Sequence, residues 1–354
     1  MVPSPQSTAN NMSARGLSYA QRYEDMHLLR CFGDQADGFY IDIGAGHPVY
    51  DNVSFAFYLR GWSGITVEPN SWLTQLSEAV RPRDRRIQSL VGAAPGEATY
   101  YLVEDFHGLS TTIESNARAA QSEYGKPSQA LRMPVVTLRT LCEGHATDTI
   151  DFLKIDVEGA EHDVLAGGDW RRFRPKVVVA EAVAPVTLAP AWEAWEPQLT
   201  DHGYRFALFD GLNRYYVASE CGALAERLAA TPASFDGIAQ FRNFKPALDD
   251  PSHPDHGLAQ LMAGDDMVRL PLWPPERLVE RLTAGIDAAA LDRTAGPADI
   301  AAVHQRVFAS PAAPGWTAAL GLGRDVSVRG LYERLVVSEA FRAACGRISA
   351  SLAW

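Results

Sequence analysis

The stretch Phe39-Tyr40-Ile41-Asp42-Ile43-Gly44-Ala45-Gly46-His47-Pro48 decides the fold. An apolar run that stops at Gly-Ala-Gly reads as a buried strand opening into a tight turn, at the sheet edge where α/β proteins meet nucleotide-like ligands. Working outward, further strand-like runs stand at Gly64-Ile65-Thr66-Val67-Glu68, Ile87-Gln88-Ser89-Leu90-Val91, Phe152-Leu153-Lys154-Ile155-Asp156 and Lys176-Val177-Val178-Val179-Ala180-Glu181. Helix-length stretches separate several of them, at Asn52 to Leu59 and Ser71 to Val80. Strands alternating with helices predict an α/β fold with a mostly parallel sheet.

Two more strand candidates, Ala98 to Val103 and Met133 to Leu138, flank a polar stretch from Glu104 to Arg132. A connection of that length is expected to act as a lid or binding segment, with Glu114 to Ser122 as a helical part. Tyr204 to Phe209 and Arg214 to Val217 alternate around Asp210-Gly211-Leu212-Asn213, which predicts a C-terminal antiparallel hairpin closing the sheet. After about Asp236 the pattern changes to proline-rich loops and Ala- and Leu-rich helical stretches: Pro275 to Ala290, Pro297 to Phe308 and Val326 to Arg347. Val328, Leu331, Tyr332 and Leu335 recur at helical spacing and mark a buried stripe. The expected organisation is a leading segment with a helix over 1–37, an α/β domain over 38–235, and a small all-α appendage over 236–354.

The glycine turn narrows the ligand. A dinucleotide fingerprint needs a third glycine where Val49 stands, and Pro48 interrupts the run into a phosphate-binding helix. No Lys-Ser/Thr pair follows the glycines, so a nucleoside without phosphates fits better than a nucleotide. Glu68 ends the second strand, where a carboxylate can accept hydrogen bonds from both ribose hydroxyls; a solvated strand-end acid is the competing reading. His47 carries no assignment beyond that of a loop histidine.

The 354 residues are 47% hydrophobic and 21% charged, a globular composition long enough for two units. The net charge of −11 argues against a nucleic-acid partner and against binding to an anionic membrane surface. The four cysteines, Cys31, Cys142, Cys221 and Cys345, lack metal or disulfide spacing and suit a reducing compartment. The first residues are polar, without a signal-peptide core, and no apolar run has the length of a membrane span. A cytoplasmic location is the expectation.

Four stretches in order resemble one family. Tyr19-Ala20-Gln21-Arg22-Tyr23-Glu24-Asp25 leads into Gly38-Phe39-Tyr40-Ile41-Asp42-Ile43-Gly44-Ala45-Gly46. Phe57-Tyr58-Leu59-Arg60-Gly61-Trp62-Ser63-Gly64-Ile65-Thr66-Val67-Glu68-Pro69 follows, then Leu153-Lys154-Ile155-Asp156-Val157-Glu158-Gly159-Ala160-Glu161 with Val178-Val179-Ala180-Glu181. From Ser18 to Val217 the chain resembles the FkbM-type S-adenosylmethionine-dependent methyltransferases. That resemblance implies the class I methyltransferase fold, a Rossmann-like seven-stranded sheet with a terminal hairpin. It also implies S-adenosylmethionine held by Asp42, Gly44, Ala45, Gly46 and Glu68, with Gln21, Glu24 and Asp156 completing the pocket. The family usually carries Asn where this chain has Gly46, so one side-chain contact to the donor is absent here.

Methyl transfer to oxygen needs the acceptor, methyl carbon and sulfur in line, and a base or metal to take the hydroxyl proton. Asp156, Glu158 and Glu181 are candidate proton acceptors or metal ligands, and His162 is a lower-ranked base. If a helix begins near Gly159, Glu158 and His162 share a face. Oxygen-only ligands suit a divalent metal such as magnesium at Asp156 and Glu181, though the spacing does not demand one. Glu161 reads as an acid at a helix N-terminus, and Lys154 as a partner for a neighbouring carboxylate. Trp192, Trp195, Tyr215 and Tyr216 read mainly as core rather than as a platform for a sugar ring.

The reading is therefore an O-methyltransferase for a hydroxyl of a sugar or glycan-like acceptor, in polysaccharide or secondary-metabolite tailoring. A nicotinamide-dependent oxidoreductase and a non-catalytic binding or assembly module are the alternatives. The C-terminal helices leave a homo-oligomer open, together with carrier or acceptor recognition.

Overall fold

Strands β1 (Phe39–Ile43), β2 (Ser63–Val67) and β3 (Arg85–Ile87) run parallel, with β1 between β2 and β7 (Phe152–Ile155). The computed structural model describes residues 16–103, 107–145, 149–184, 187–230, 235–308 and 326–353. Among these residues β8 (Val177–Glu181) continues the parallel set beside β7, and β9 (Tyr204–Phe209) and β10 (Asn213–Ala218) complete a seven-stranded sheet in the order β9-β10-β8-β7-β1-β2-β3. β10 is antiparallel to both neighbours, with Tyr204 opposite Ala218 and Asn213 opposite Glu181. The Asp210 carboxylate makes the turn by accepting the amides of Leu212 and Asn213 at 2.9 and 2.7 Å.

The apolar runs are continuous because the central strands are covered on both faces. Ile41, Ile43, Leu153, Ile155, Val178 and Ala180 pack on one face. Tyr40, Phe152, Val177 and Val179 point to the other, against Leu28, Cys31 and Phe32 of helix α1 (Glu24–Phe32) and against Phe57 and Trp62. Helix α2 spans only Phe55–Tyr58, shorter than the Asn52 to Leu59 expected, because the Asn52 side chain accepts the Phe55 amide and forms the turn before it. Helix α3 (Ser71–Val80) occupies the expected residues.

Three sequence expectations change between β3 and β7. The run Ile87 to Val91 is two strands: Ile87 ends β3, and β4 (Leu90–Val91) joins a different, three-stranded sheet. Ser89 turns the chain, its hydroxyl donating to the Pro134 carbonyl at 2.8 Å. In that sheet β5 (Gly96–Leu102) pairs antiparallel with β6 (Gln129–Val136). The stretch from Glu104 to Arg132 is thus no single long loop: it holds helix α4 (Glu114–Tyr124), ended by Gly125 at φ 65°, and the start of β6. Its residues 104–106 lie outside the described residues. Thr137 and Leu138, expected in a strand, cap and open α5 (Leu138–His145), with the Thr137 hydroxyl accepting the Thr140 amide at 3.0 Å. Helices α6 (Glu161–Ala166), α7 (Glu196–Thr200) and α8 (Gly222–Ala229) follow.

Among the described residues the chain divides into two compact units, Ser18–Glu78 with Arg83–Asp236, and a second that runs from Gly237 onward and takes in 16–17 and Ala79–Pro82. The described part of the second is helical: α9 (His256–Met262), α10 (Pro275–Thr283), α11 (Ala288–Asp292), α12 (Pro297–Phe308), α13 (Val328–Val336) and α14 (Glu339–Ala353). Leu258, Met262, Leu278, Leu282, Leu331 and Leu335 are among the side chains of its core. Two expected helices are each broken in two. Gly285 at φ 78° separates α10 from α11, whose cap Asp287 accepts the Ala290 amide. Ser338 separates α13 from α14, its hydroxyl donating to the Leu335 carbonyl at 2.6 Å. No helix of the described residues is long and apolar enough to cross a membrane.

Candidate active site

The parallel register brings the acids to one edge. Asp42 lies opposite Lys154 and Thr66 near the C-terminal end of β1, and Glu68 and Asp156 directly follow β2 and β7. Glu181 ends β8, one step past the ladder pair Ile155–Ala180, and so stands beside Asp156. Gly44 leaves β1 at φ 70°, and a Cβ there would sit 1.7 Å from the Asp156 carbonyl oxygen. Gly44 is therefore glycine first because the chain's own backbone fills the space. The turn is held by Asn52, whose Nδ2 donates to the carbonyls of Ala45 and His47 at 2.9 and 3.1 Å.

Lys154 is the cation of the site. Its Nζ donates to the Gly44 carbonyl at 2.8 Å and lies 3.5 Å from Asp42 Oδ1 and 3.3 Å from Asp156 Oδ2. Burial alone would lower its pKa, but the charges of Asp156 and Asp42 outweigh burial and raise it, so it stays an ammonium. Ser54 donates to the other oxygen of Asp42 at 2.6 Å. The expectation that Lys154 pairs with a neighbouring carboxylate holds twice over.

Glu68 is buried, and its two oxygens accept the Gly46 and Asn70 amides at 2.9 and 2.8 Å. Burial pushes this carboxyl up to about 7 against those hydrogen bonds. An ionised carboxylate offers about four acceptor positions, so each oxygen retains one beyond its amide. Tyr100 of β5 is buried near it; burial, then the charge of Glu68, raises its hydroxyl.

After Asp156 the chain turns through left-handed backbone at Glu158 (φ 60°) and Gly159 (φ 105°) before α6 begins at Glu161. A left-handed glutamate costs about 1–2 kcal/mol and needs fastening. The Glu158 carbonyl accepts Thr111 Oγ1 at 2.9 Å and Asn116 Nδ2 at 3.1 Å, while Glu161 Oε1 accepts the Val157 and Gly159 amides at 3.2 Å each. The late start of α6 corrects one expectation: Glu158 and His162 do not share a helix face. His162 is exposed and lies 3.4 Å from Asp163, apart from the acids.

Asp156, Glu158 and Glu181 present carboxylate oxygens all within 4.8 Å of one another. Burial, followed by the charge of Asp156, holds the Glu158 and Glu181 carboxyls well above the usual range. Glu161 is raised to about 7, again mainly by burial.

Of the leading-segment residues, Glu24 is buried at the start of α1 and accepts Asn213 Nδ2 at 2.9 Å and the Arg22 amide at 2.5 Å. Burial, then the nearby Asp210, pushes its carboxyl up to about 8, and its charge acts on Lys154. Gln21 is exposed. His47 Nδ1 accepts the Val49 and Tyr50 amides at 3.1 and 3.0 Å, which explains it as a turn residue. Trp195, Tyr215 and Tyr216 are core as expected, and Trp192 is half-buried with Arg214 stacked on it at 3.8 Å. Asn52, Asn116, Asn213 and Tyr100 escaped the sequence reading; only Asn52, an Asn just before a helix, carried a local signal.

The mostly parallel seven-stranded sheet, with acids at successive strand ends, is consistent with a methyltransferase-like fold. Residues 42–206 match the model of the Methyltransferase FkbM domain family, which bears out the resemblance over that stretch and supports methyltransferase activity. No curated protein matches the chain.

Proposed function

We propose that residues 38–235 form a class I S-adenosylmethionine-dependent O-methyltransferase domain, with 1–37 as its leading segment and 236–354 as an accessory unit. The observation that carries this reading is the acid set Asp42, Glu68 and Asp156 at the ends of β1, β2 and β7, with Lys154 paired to Asp42 and Asp156. The chemistry of the set fits a donor that is cationic at sulfur and at its amino group, and it opposes a pyrophosphate. That contrast disfavours the nicotinamide alternative.

The bound donor would supply an electrophilic methyl carbon. Glu68 would hold the ribose hydroxyls through its remaining acceptor positions, and Asp42, Asp156 and the Gly44–Gly46 turn would line the amino-acid end. Glu24 would support that end through Asn213 and Lys154. The acceptor is a hydroxyl, of the sugar or glycan-like class. Glu158 and Glu181, raised by burial, are stronger bases than ordinary carboxylates, and either one can take the hydroxyl proton as oxygen attacks. A screen of mono- and oligosaccharides with a methyl-labelled donor tests the acceptor class. Label appearing on a sugar oxygen supports it, and transfer only to nitrogen or carbon acceptors overturns it. A cytoplasmic location follows from the same reading, since cytoplasm supplies the donor.

A further inference from the structure

The carboxylate cluster has a property that proton transfer does not require. Asp156, Glu158 and Glu181 come from two adjacent strand ends and one tight turn, yet all three place an oxygen within 4.8 Å of the other two. Ligands of one divalent ion with bonds of about 2.1–2.4 Å lie about 3–4.8 Å apart, from neighbouring to opposite positions. A mutual distance of no more than 4.8 Å lets the three oxygens share one ion.

Glu181 adds an independent observation. It is 7% exposed, its Oε2 is wholly buried, and its carboxylate makes no hydrogen bond to any described residue. A buried carboxylate oxygen without a partner is costly, and buried polar groups are almost always satisfied. The other buried acids of the site are answered: Asp42 accepts Ser54 on one oxygen and sets the other, which has no hydrogen bond, 3.5 Å from the Lys154 ammonium, while Glu68 and Glu161 each accept two amides. Lys154 is turned to Asp42, Asp156 and Gly44. The Glu158 side chain is held at the cluster by a strained turn that Thr111 and Asn116 fasten from outside it.

We propose that Asp156, Glu158 and Glu181 form a binding site for one hard divalent cation of the magnesium or manganese class. Three hard oxygens and no nitrogen or sulfur donor favour that class over zinc or copper. The remaining coordination positions would be taken by water and, in the catalytic complex, by the acceptor hydroxyl, whose acidity a bound cation increases. That last role rests on the methyl-transfer reading; the site itself rests on the carboxylates.

The test uses the full chain stripped with chelator, titrated with manganese(II) followed by electron paramagnetic resonance, with S-adenosylhomocysteine binding measured in parallel. The expected result is one manganese site, displaced by excess magnesium and weakened about tenfold or more in both Glu181→Gln and Asp156→Asn. The exposed Asp163→Asn control retains full affinity. S-adenosylhomocysteine binding retained by Glu181→Gln reports that this variant is folded; should it not fold, Asp156→Asn decides. No manganese binding by a chain that binds S-adenosylhomocysteine, or binding unchanged in both ligand variants, overturns the cation site while leaving the methyltransferase reading intact. Manganese binding lost in the variants, in a chain that does not bind S-adenosylhomocysteine, supports the cation site and counts against donor binding alone.

Discussion

Lys154 Nζ and Asp42 Oδ1 lie 3.5 Å apart with both side chains buried, on residues paired across adjacent parallel strands. Lys154 also reaches Asp156 and the Gly44 carbonyl, so one ammonium ties together the turn and two strand ends. Removing one partner from a buried ion pair leaves an uncompensated charge and costs about 3–5 kcal/mol. Lys154→Met is accordingly expected to lose about that much stability in urea unfolding. A loss below about 1 kcal/mol would mean the lysine is not what holds the acids together.

The exposure of His162 makes it a sharp negative test. His162→Ala is expected to retain methyl transfer within about twofold, because exposed substitutions outside a site rarely matter. A tenfold loss of kcat would return the histidine to the reaction.

Folding of the first unit should depend on pH through Glu24. Its folded-state pKa, raised to about 8 by burial and Asp210, exceeds the ordinary 4.5 of the unfolded chain. The native state therefore holds the extra proton, and stability falls as pH rises between those values. His27, lowered to about 4 by burial, works in the opposite direction below about 6.5. Between pH 6.5 and 8 the glutamate prevails, so Tm is expected to fall across that window, and to fall less steeply in Glu24→Gln. A Tm that rises over the same window would contradict the assignment.

The fastening of the Glu158 turn gives a fourth measurement. Asn116→Ala removes one of two hydrogen bonds to the Glu158 carbonyl, worth about 1 kcal/mol. Faster hydrogen exchange at Val157 and Gly159, with other strand-end amides unchanged, is the expected result. Unaltered exchange would show that Thr111 and Glu161 hold the turn by themselves.

These residues mark where the sequence was readable. Asp42, Gly44, Glu68, Asp156 and Glu181 could be found because each ends or follows a short apolar run, and strand ends of a parallel sheet converge. Glu24 and Asn213 are 189 residues apart, and Asn116 acts on a carbonyl 42 residues away; no local pattern announces such pairs. The start of α6 slipped because Glu158 and Gly159 adopt left-handed backbone, which side-chain periodicity does not record. The breaks at Ser89, Gly285 and Ser338 fell inside apolar patterns that continue across them, so period alone joined what a hydroxyl or a positive φ separates.

The proposed donor site is built on Glu68 and its neighbours. Isothermal titration of the full chain with S-adenosylhomocysteine and, separately, with NADH decides whether they bind the methyl donor. One S-adenosylhomocysteine site is expected, weakened about tenfold or more by Glu68→Ala, and no binding of NADH. Binding of NADH alone, or S-adenosylhomocysteine affinity unchanged by Glu68→Ala, would contradict it.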